Sequence, residues 1–195
     1  MPIELAAIIT SIIASSFALI LAKLIKKISL KSEKIIYLKN KKGETQEIFL
    51  DASYKNKDVQ EYLDSALGYE REVGEILKKY GHQIVHNYVS ERHNKKYNID
   101  YLLKDGERNF FFEIKFSKRP LSVSNVLKII DQLPRHSHGN VIVSTSGFTE
   151  SALEAIKKTG KDIRAVSGSD REELMPQFDE FAEAKGIINR ERVIF

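Results

Sequence analysis

A run of seven residues, Phe110–Phe116, constrains the fold of this 195-residue chain more than any other segment. It reads Phe-Phe-Phe-Glu-Ile-Lys-Phe, so an acid and a lysine stand among aromatic and aliphatic side chains. Because successive side chains of a β-strand point to opposite faces, Glu113 and Lys115 share one face, while Ile114 and its aromatic second neighbours share the other. Charged groups rarely lie beside so much apolar surface unless they are paired. The run therefore predicts a core strand that carries a paired acid and lysine.

A hairpin is predicted to join this strand to the one before it. Asn98–Leu103 has the composition of a strand, and the Asp-Gly pair between the two strands is a turn signal. With the turn centred on that pair, Ile99 faces Phe112 and Tyr101 faces Phe110, and all four side chains lie on one apolar face. A slip of one residue in this register would exchange the two faces.

The other face of the predicted hairpin carries a candidate site. Asp100 becomes the diagonal neighbour of Glu113, with roughly 7–8 Å between their backbones, and Lys115 lies beside them. Two carboxylates at that separation can converge on one hard cation, since magnesium is usually bound by one or two carboxylates, water and substrate phosphate. Such an ion stabilises charge on a phosphate, and a nearby lysine orients the attacking water or neutralises developing charge. The alternative is an ordinary salt bridge on a solvated sheet face.

Helical and strand patterns alternate along the second half of the chain, which predicts an α/β domain. The expected helices are Tyr69–Tyr80, Val123–Leu133, Thr149–Lys158 with Thr149 as N-cap, and Asp170–Ala184. The expected strands are Gln83–Val89, Asn98–Leu103, Asn109–Ser117, Asn140–Ser144 and Asp162–Val166. Ahead of this domain the sequence predicts a small hairpin and a short helix, namely strands Lys34–Lys39 and Thr45–Leu50 and helix Val59–Leu67 ending at Gly68.

The N-terminal part of the chain predicts one membrane span. Leu5–Ala22 is 18 consecutive residues without a charge, close to the roughly 20 apolar residues that a span needs. The alternative is a buried or surface-lying amphipathic helix, but this run is apolar on every face. Residues 23–42 then hold eight lysines against one acid. By the positive-inside rule, we expect the N-terminus outside and the rest of the chain in the cytoplasm, attached to the inner (cell) membrane.

The remaining charge is not that of a strongly basic nucleic-acid-binding protein. Residues 43–195 hold 23 basic and 25 acidic side chains, so the pI near 9 arises beside the apolar segment and indicates a membrane surface first. The chain has no cysteine, which excludes disulfides and thiolate-bound zinc. The histidines are not at zinc-ligand spacing.

Four motifs follow one another in a recognisable order. They are Tyr69-Glu70 opening a helix that ends in Lys78-Lys79-Tyr80-Gly81, then Asn98-Ile99-Asp100, then Phe112-Glu113-Ile114-Lys115, then the strand, loop and helix start Val141–Thr149 followed by Ala152. Over about residues 68–167, this series resembles the catalytic domain of Mrr-type restriction endonucleases, within the PD-(D/E)XK nuclease superfamily. Two features depart from the family: a glycine-containing Asp-Gly-Gly-Ile-Asp run is absent before Asp100, and helix 122–133 lacks a clean Gln-x-x-x-Tyr motif.

The resemblance implies a role for each matching residue. Asp100 and Glu113 would bind Mg²⁺ or Mn²⁺, and the carbonyl of Ile114 would add a ligand. Lys115 would act on the attacking water or on the phosphate. Glu70 matches the acid on the leading helix that completes many sites of this superfamily. Most relatives cut as dimers, so a homo-oligomer is expected.

Other side chains near the proposed site are secondary candidates. Glu72 is the neighbour that could be confused with Glu70 as the helical acid. Loop cations would contact phosphates, although ordinary solvated loop charge explains them equally well. Those included in the predicted nucleic-acid-binding set are Lys95, Lys96, Lys118 and Arg119.

Together these patterns predict a restriction-endonuclease-like mixed central sheet flanked by helices, preceded by one transmembrane helix and a small β-hairpin module. The expected organisation is a transmembrane helix over residues 3–27, a juxtamembrane module over 28–66, a nuclease domain over 67–169, and a C-terminal helix and tail over 170–195. The expected function is that of a membrane-anchored, cytoplasm-facing, Mg²⁺-dependent DNA endonuclease, with a role in defence suggested by the family. The alternatives are a non-catalytic membrane-tethered interaction or nucleic-acid-binding protein of the same fold, and a nuclease for RNA or branched DNA.

Overall fold

The computed structural model describes residues 34–39, 45–50, 56–81, 83–92 and 95–188, which belong to two compact units divided between Val59 and Gln60. In the first unit, strands β1 (Lys34–Lys39) and β2 (Thr45–Leu50) pair in antiparallel register. The predicted hairpin is therefore confirmed with its bounds.

The predicted membrane span over residues 3–27 lies outside the described residues. Within the described ranges, no helix combines the length and the apolar character that crossing a bilayer requires.

The second unit is built on a mixed sheet of five strands in the order β3-β4-β5-β6-β7. Strand β4 pairs antiparallel with both β3 and β5, whereas β5, β6 and β7 run parallel to one another. The strands are β3 (Gln83–Arg92), β4 (Lys95–Asp105), β5 (Arg108–Lys115), β6 (Gly139–Ser144) and β7 (Ile163–Ser167). The helices are α1 (Asn56–Leu77), α2 (Val123–Gln132), α3 (Glu150–Lys158) and α4 (Arg171–Ala184). The predicted mixed sheet flanked by helices is confirmed.

Two apolar cores enclose this sheet, one on each face. Both faces of the parallel part are buried, because the β6 run Val141-Ile142-Val143 is apolar throughout. The first core joins the sheet to α1 and α4 and includes Val73, Tyr101, Phe112, Ile114, Phe178 and Phe181. The second core joins it to α2 and α3 and includes Ile99, Leu102, Phe111, Val126, Ile142 and Ala152.

Helix α1 passes through Gly68 without a break. The predicted helix end at Gly68 is therefore wrong, and the predicted boundary between residues 66 and 67 falls inside a helix. A buried stripe from Tyr62 to Leu77, on both sides of Gly68, outweighs the roughly 1 kcal/mol that one interior glycine costs. The buried members of this stripe are Tyr62, Leu63, Tyr69, Val73, Ile76 and Leu77.

Helix α4 belongs to the same core as the sheet, although the sequence reading places residues 170–195 outside the nuclease domain. Leu174 and Phe178 are almost fully buried, and the Phe181 ring meets Phe110 and Phe112 edge-on. These aromatic contacts are long-range in sequence, which is why periodicity alone does not reveal them.

The hairpin between β4 and β5 turns at Gly106 and Glu107, with Asp105 opposite Arg108. Gly106 has a φ of +62°, as the first central residue of a type II′ turn requires. The Asp105 and Arg108 side chains form an ion pair across this turn. The turn is therefore centred one residue later than the predicted centre at Asp105-Gly106, which moves the register of the two strands by two residues.

The register places Tyr101 opposite Phe112, so the predicted pairing of Tyr101 with Phe110 and of Ile99 with Phe112 is wrong. The shift is two residues, and a shift of two preserves the face of each side chain. Tyr101, Phe110 and Phe112 accordingly share the first core as predicted. Ile99 does not, because it lies in the second core.

Two glycines of α1 provide a matched test of this packing. A Cβ on Gly74 would lie 2.4 Å from the Tyr101 hydroxyl oxygen, whereas a Cβ on Gly68 would meet nothing within 4 Å. We expect Gly68→Ala to stabilise the protein by about 0.5–1 kcal/mol through helix propensity. Gly74→Ala should destabilise it by about 1–2 kcal/mol, because overpacking exceeds the same gain. Urea unfolding of both variants measures the two changes, and equal effects would contradict the described fit of Tyr101 under α1.

Candidate active site

Asp100 lies where β4 leaves the pairing of the sheet. Pairing with β5 begins only at Tyr101, and pairing with β3 skips Asn87, which has a φ of +54°. Ile99 and Leu102 both belong to the second core although they are three residues apart. Strict alternation would separate them, so the alternation of faces along β4 is interrupted between Ile99 and Leu102.

The Asp100 carboxylate takes the place of a backbone acceptor where β4 no longer pairs with β5. Its Oδ2 accepts a hydrogen bond from the backbone N–H of Ile114 at 2.6 Å, and the residue is buried. This bond fixes Asp100 beside the segment of β5 that carries Glu113 and Lys115. The role predicted for the Ile114 carbonyl as a metal ligand is a separate matter and stays a prediction.

Glu113 and Lys115 form the pair that the sequence predicts. They share the sheet face that bears the second core, and Lys115 Nζ donates to Glu113 Oε1 at 2.5 Å. The Glu113 side chain is only 4% exposed and that of Lys115 is 25% exposed. The second oxygen of Glu113, Oε2, is buried and accepts no hydrogen bond.

Glu70 enters the site from α1. Its carboxylate interacts electrostatically with Asp100 and Lys115, and its side chain is 13% exposed. Burial raises the pKa of Tyr69 and the charge of Glu72, the alternative helical acid, adds to that rise, whereas Glu70 and not Glu72 is among the charges that act on Lys115. The structure therefore brings Glu70 within electrostatic range of Asp100 and Lys115.

Sequence reasoning missed His86, a residue of the edge strand β3. Its Nε2 lies 2.6 Å from Glu70 Oε1, and its ring stacks on Tyr101 with the centroids 4.8 Å apart. No spacing rule links His86 to Glu70, because a turn and part of a strand separate them. The pairing of β3 with β4 is the signal that brings His86 to Tyr101.

Burial dominates the electrostatics of the three carboxyl groups. It raises the pKa of Glu113 to about 7, the negative charge of Asp100 adds to that rise, and Lys115 opposes it. Burial also raises the pKa of Asp100 and of Glu70. Burial alone would lower the pKa of Lys115, but the charges of Glu113 and Asp100 outweigh it and raise that pKa. Lys115 is therefore a cation at neutral pH.

The predicted nucleic-acid-binding cations lie on two different segments. Lys96 is a highly exposed β4 residue that pairs with Glu91 at 3.4 Å, and Lys95 is paired through its backbone with Arg92. Lys118 and Arg119 are exposed and follow β5 directly. Their role in nucleic-acid binding stays a prediction.

The segment that carries Lys118 and Arg119 is held against the loop after β6. Thr145 Oγ1 accepts from the Ser117 N–H and donates to the Ser117 carbonyl. Leu121 and Phe148 add a parallel bridge between the same two loops. Thr149, predicted as an N-cap, accepts from the Ala152 N–H through its hydroxyl at 3.2 Å, which confirms that prediction.

The residues present fit a hard divalent cation. Asp100 and Glu113 offer carboxylate oxygens, the donors that magnesium prefers, and Glu113 Oε2 is a buried acceptor without a donor. Among the described residues, no three His, Cys, Asp or Glu side chains already converge as a complete ligand set. One or two protein carboxylates are the usual share for magnesium, whose remaining ligands are water and substrate phosphate.

The chain is similar to several solved structures. One is the DNA modification-dependent restriction endonuclease AspBHI, at 13% identity and a TM-score of 0.38, over 65% of this chain and 37% of that one. Another is the MspJI restriction endonuclease in complex with a 27-mer oligonucleotide, at 14% identity and a TM-score of 0.41, over 66% and 32%. A third is the protein of unknown function AF1548, at 16% identity and a TM-score of 0.43, over 64% and 66%. The chain spans about a third of the length of the two endonucleases.

No curated protein sequence matches the chain. Residues 64–175, more than half of its length, match the Mrr catalytic-domain family, described as "Restriction endonuclease". The match includes Glu70, Asp100, Glu113 and Lys115, the four side chains that the fold brings together. The chain therefore belongs to the Mrr-type restriction endonuclease family and carries a nuclease domain of that kind.

Proposed function

We propose that this protein is a Mg²⁺-dependent endonuclease that hydrolyses phosphodiester bonds in DNA. One observation carries the proposal: Asp100 of β4 bonds the β5 backbone beside the Glu113–Lys115 ion pair, and Glu70 of α1 lies within electrostatic range of Asp100 and Lys115. When all are ionised, three negative charges oppose one positive charge, and two negative charges remain. A divalent cation would balance them, which is why magnesium or manganese suits the site.

Asp100 and Glu113 would hold the cation, and Glu70 would complete the acidic group. When bound, the ion would stabilise charge on the scissile phosphate and lower the pKa of the attacking water. Lys115 stays protonated, so it acts as a hydrogen-bond donor and positive charge toward the phosphate rather than as a general base. The Ile114 N–H holds Asp100 in place, so the site needs little rearrangement to accept its ligands.

DNA is the proposed partner. The exposed cations Lys118 and Arg119, together with Lys95 and Lys96, would contact backbone phosphates on either side of the site. The family supports a role in defence against foreign DNA and a homo-oligomeric assembly, both of which we include in the proposal.

We propose further that residues 3–27 anchor the protein in the inner (cell) membrane, with the nuclease domain in the cytoplasm. The uncharged run Leu5–Ala22 and the lysines that follow it support this arrangement.

Loss of the acidic ligand or of the lysine is expected to abolish cleavage. Asp100→Asn and Lys115→Met in the full chain should each lower the rate of Mg²⁺-dependent plasmid cleavage by about 100-fold or more. Glu154→Gln and Lys157→Met make the same chemical changes on the exposed surface of α3 and should cleave normally. RNA and branched DNA are assayed in parallel to identify the substrate. A wild-type chain that cleaves none of them and binds no Mg²⁺ would be a non-catalytic interaction or binding protein.

Magnesium is expected to stabilise the fold more at about pH 8 than at about pH 6. Because the pKa of Glu113 is raised, the folded state keeps the carboxyl proton up to a higher pH than the unfolded state does. The stability that the protonated Glu113 carboxyl contributes is therefore fully present below the pKa of an ordinary glutamate. It is lost as the pH rises to about 7. Mg²⁺ binds the ionised form, so it offsets this loss only above that pH. Unfolding midpoints with and without Mg²⁺ measure the effect, and Glu113→Gln should show the same small shift at both pH values.

Charges within the proposed span are expected to release the protein from membranes. A lysine at the centre of a span costs about 2.5–3.5 kcal/mol, so the double variant Ile13→Lys/Ile20→Lys should move from the membrane fraction to the soluble fraction. Leu67→Lys places the same charge at an exposed position and should stay with the membrane. A cytoplasmic reporter fused after Phe195 should be active, and activity of a reporter that works only outside the cytoplasm would overturn the orientation.

A further inference from the structure

His86 ends a series of contacts that leads to the Glu70 carboxylate and that the proposed mechanism does not use. His86 Nε2 and Glu70 Oε1 are 2.6 Å apart. The imidazole ring lies nearly parallel to the Tyr101 ring, at 26° with centroids 4.8 Å apart. His86 and Tyr101 are direct cross-strand partners on β3 and β4, so the sheet itself sets this stack.

Gly74 provides the space for the same stack. It lies four residues after Glu70 on α1, and residues four apart share one face of a helix. Because a Cβ at Gly74 would overlap the Tyr101 hydroxyl, the ring occupies space that only glycine leaves. Helix α1 thus leaves space for the Tyr101 ring at Gly74. One turn earlier, the same helix places the Glu70 carboxylate against His86.

Glu70 needs such a partner because nothing in its own helix fixes its side chain. A glutamate loses much rotamer freedom when it is ordered, so an unsupported Glu70 would sample several positions. The charge of Asp100 also disfavours an ionised Glu70 in this place, whereas His86 and Lys115 favour it. The contact with His86 restricts the rotamers of Glu70 and favours its ionised form.

We propose that His86 is a positioning residue for the nuclease reaction, which holds the Glu70 carboxylate toward Asp100 and Lys115. This inference rests on the proposed nuclease function. His86 is half exposed on an edge strand, with 51% of its side chain open to solvent, so the core does not depend on it. Exposed ion pairs contribute little to stability, and a strong effect on turnover would therefore report on the site.

Two substitutions at position 86 separate the ring from the hydrogen bond. His86→Phe keeps an aromatic ring on Tyr101 and removes the contact with Glu70, and it should lower kcat by about 10- to 100-fold while leaving KM for DNA unchanged. His86→Gln keeps an N–H donor and should recover part of that loss. His136→Phe makes the same change at an exposed histidine and should behave as wild type. Unfolding midpoints without Mg²⁺ should be alike for all of these proteins.

A double variant tests whether His86 acts through Glu70. If it does, His86→Phe should not slow a Glu70→Ala protein further, and multiplying effects would contradict the proposal. A His86→Phe protein with wild-type kcat would overturn this proposal and leave the nuclease function standing. A wild-type chain that cleaves no nucleic acid would overturn both together.

Discussion

The site depends on one hydrogen bond, from the backbone N–H of Ile114 to the carboxylate of Asp100. A buried backbone donor must be satisfied, and at this point β4 has left the ladder that would satisfy it. The side chain of Asp100 takes over that task. The bond thereby ties the acid of one strand to the backbone of the strand that carries Glu113 and Lys115, so sheet formation and site assembly are one event.

Burying these charges lowers stability, and the two apolar cores offset that loss. Asp100 and Glu113 are nearly inaccessible, and burial raises the pKa of each. The same burial makes the site useful, because charges interact strongly where water is excluded. A site that is short of positive charge and rich in oxygen donors would suit the divalent cation of the proposed function.

Helix α1 joins the edge of the sheet to its centre. It carries Glu70 toward Asp100 of β4 and Lys115 of β5, and its Gly74 admits the ring that supports His86 on β3. The candidate site therefore includes residues beyond Asp100, Glu113 and Lys115. Every contact in this extension joins residues from different elements, and none follows from the spacing of residues within one element.

The sequence by itself determined the order of elements in the α/β domain and the face on which Glu113 and Lys115 lie, since strand alternation depends only on local backbone geometry. It also predicted Asp100 and Glu70 as site residues, through a series of motifs that resembles a nuclease family. The pairing was displaced by two residues because the turn is centred on Gly106-Glu107, one residue later than Asp105-Gly106, and the even shift preserved the faces.

Tertiary structure decided the rest. Ile99 lies in the second core, so the alternation of faces along β4 is interrupted beside Asp100, and Asn87, opposite Asp100, has a positive φ. Gly68 does not end a helix because the buried stripe of α1 continues past it. His86 joins Glu70 because an edge strand and a helix meet in space. Propensity and periodicity are local properties, whereas packing, charge burial and strand divergence depend on residues that are distant in the chain.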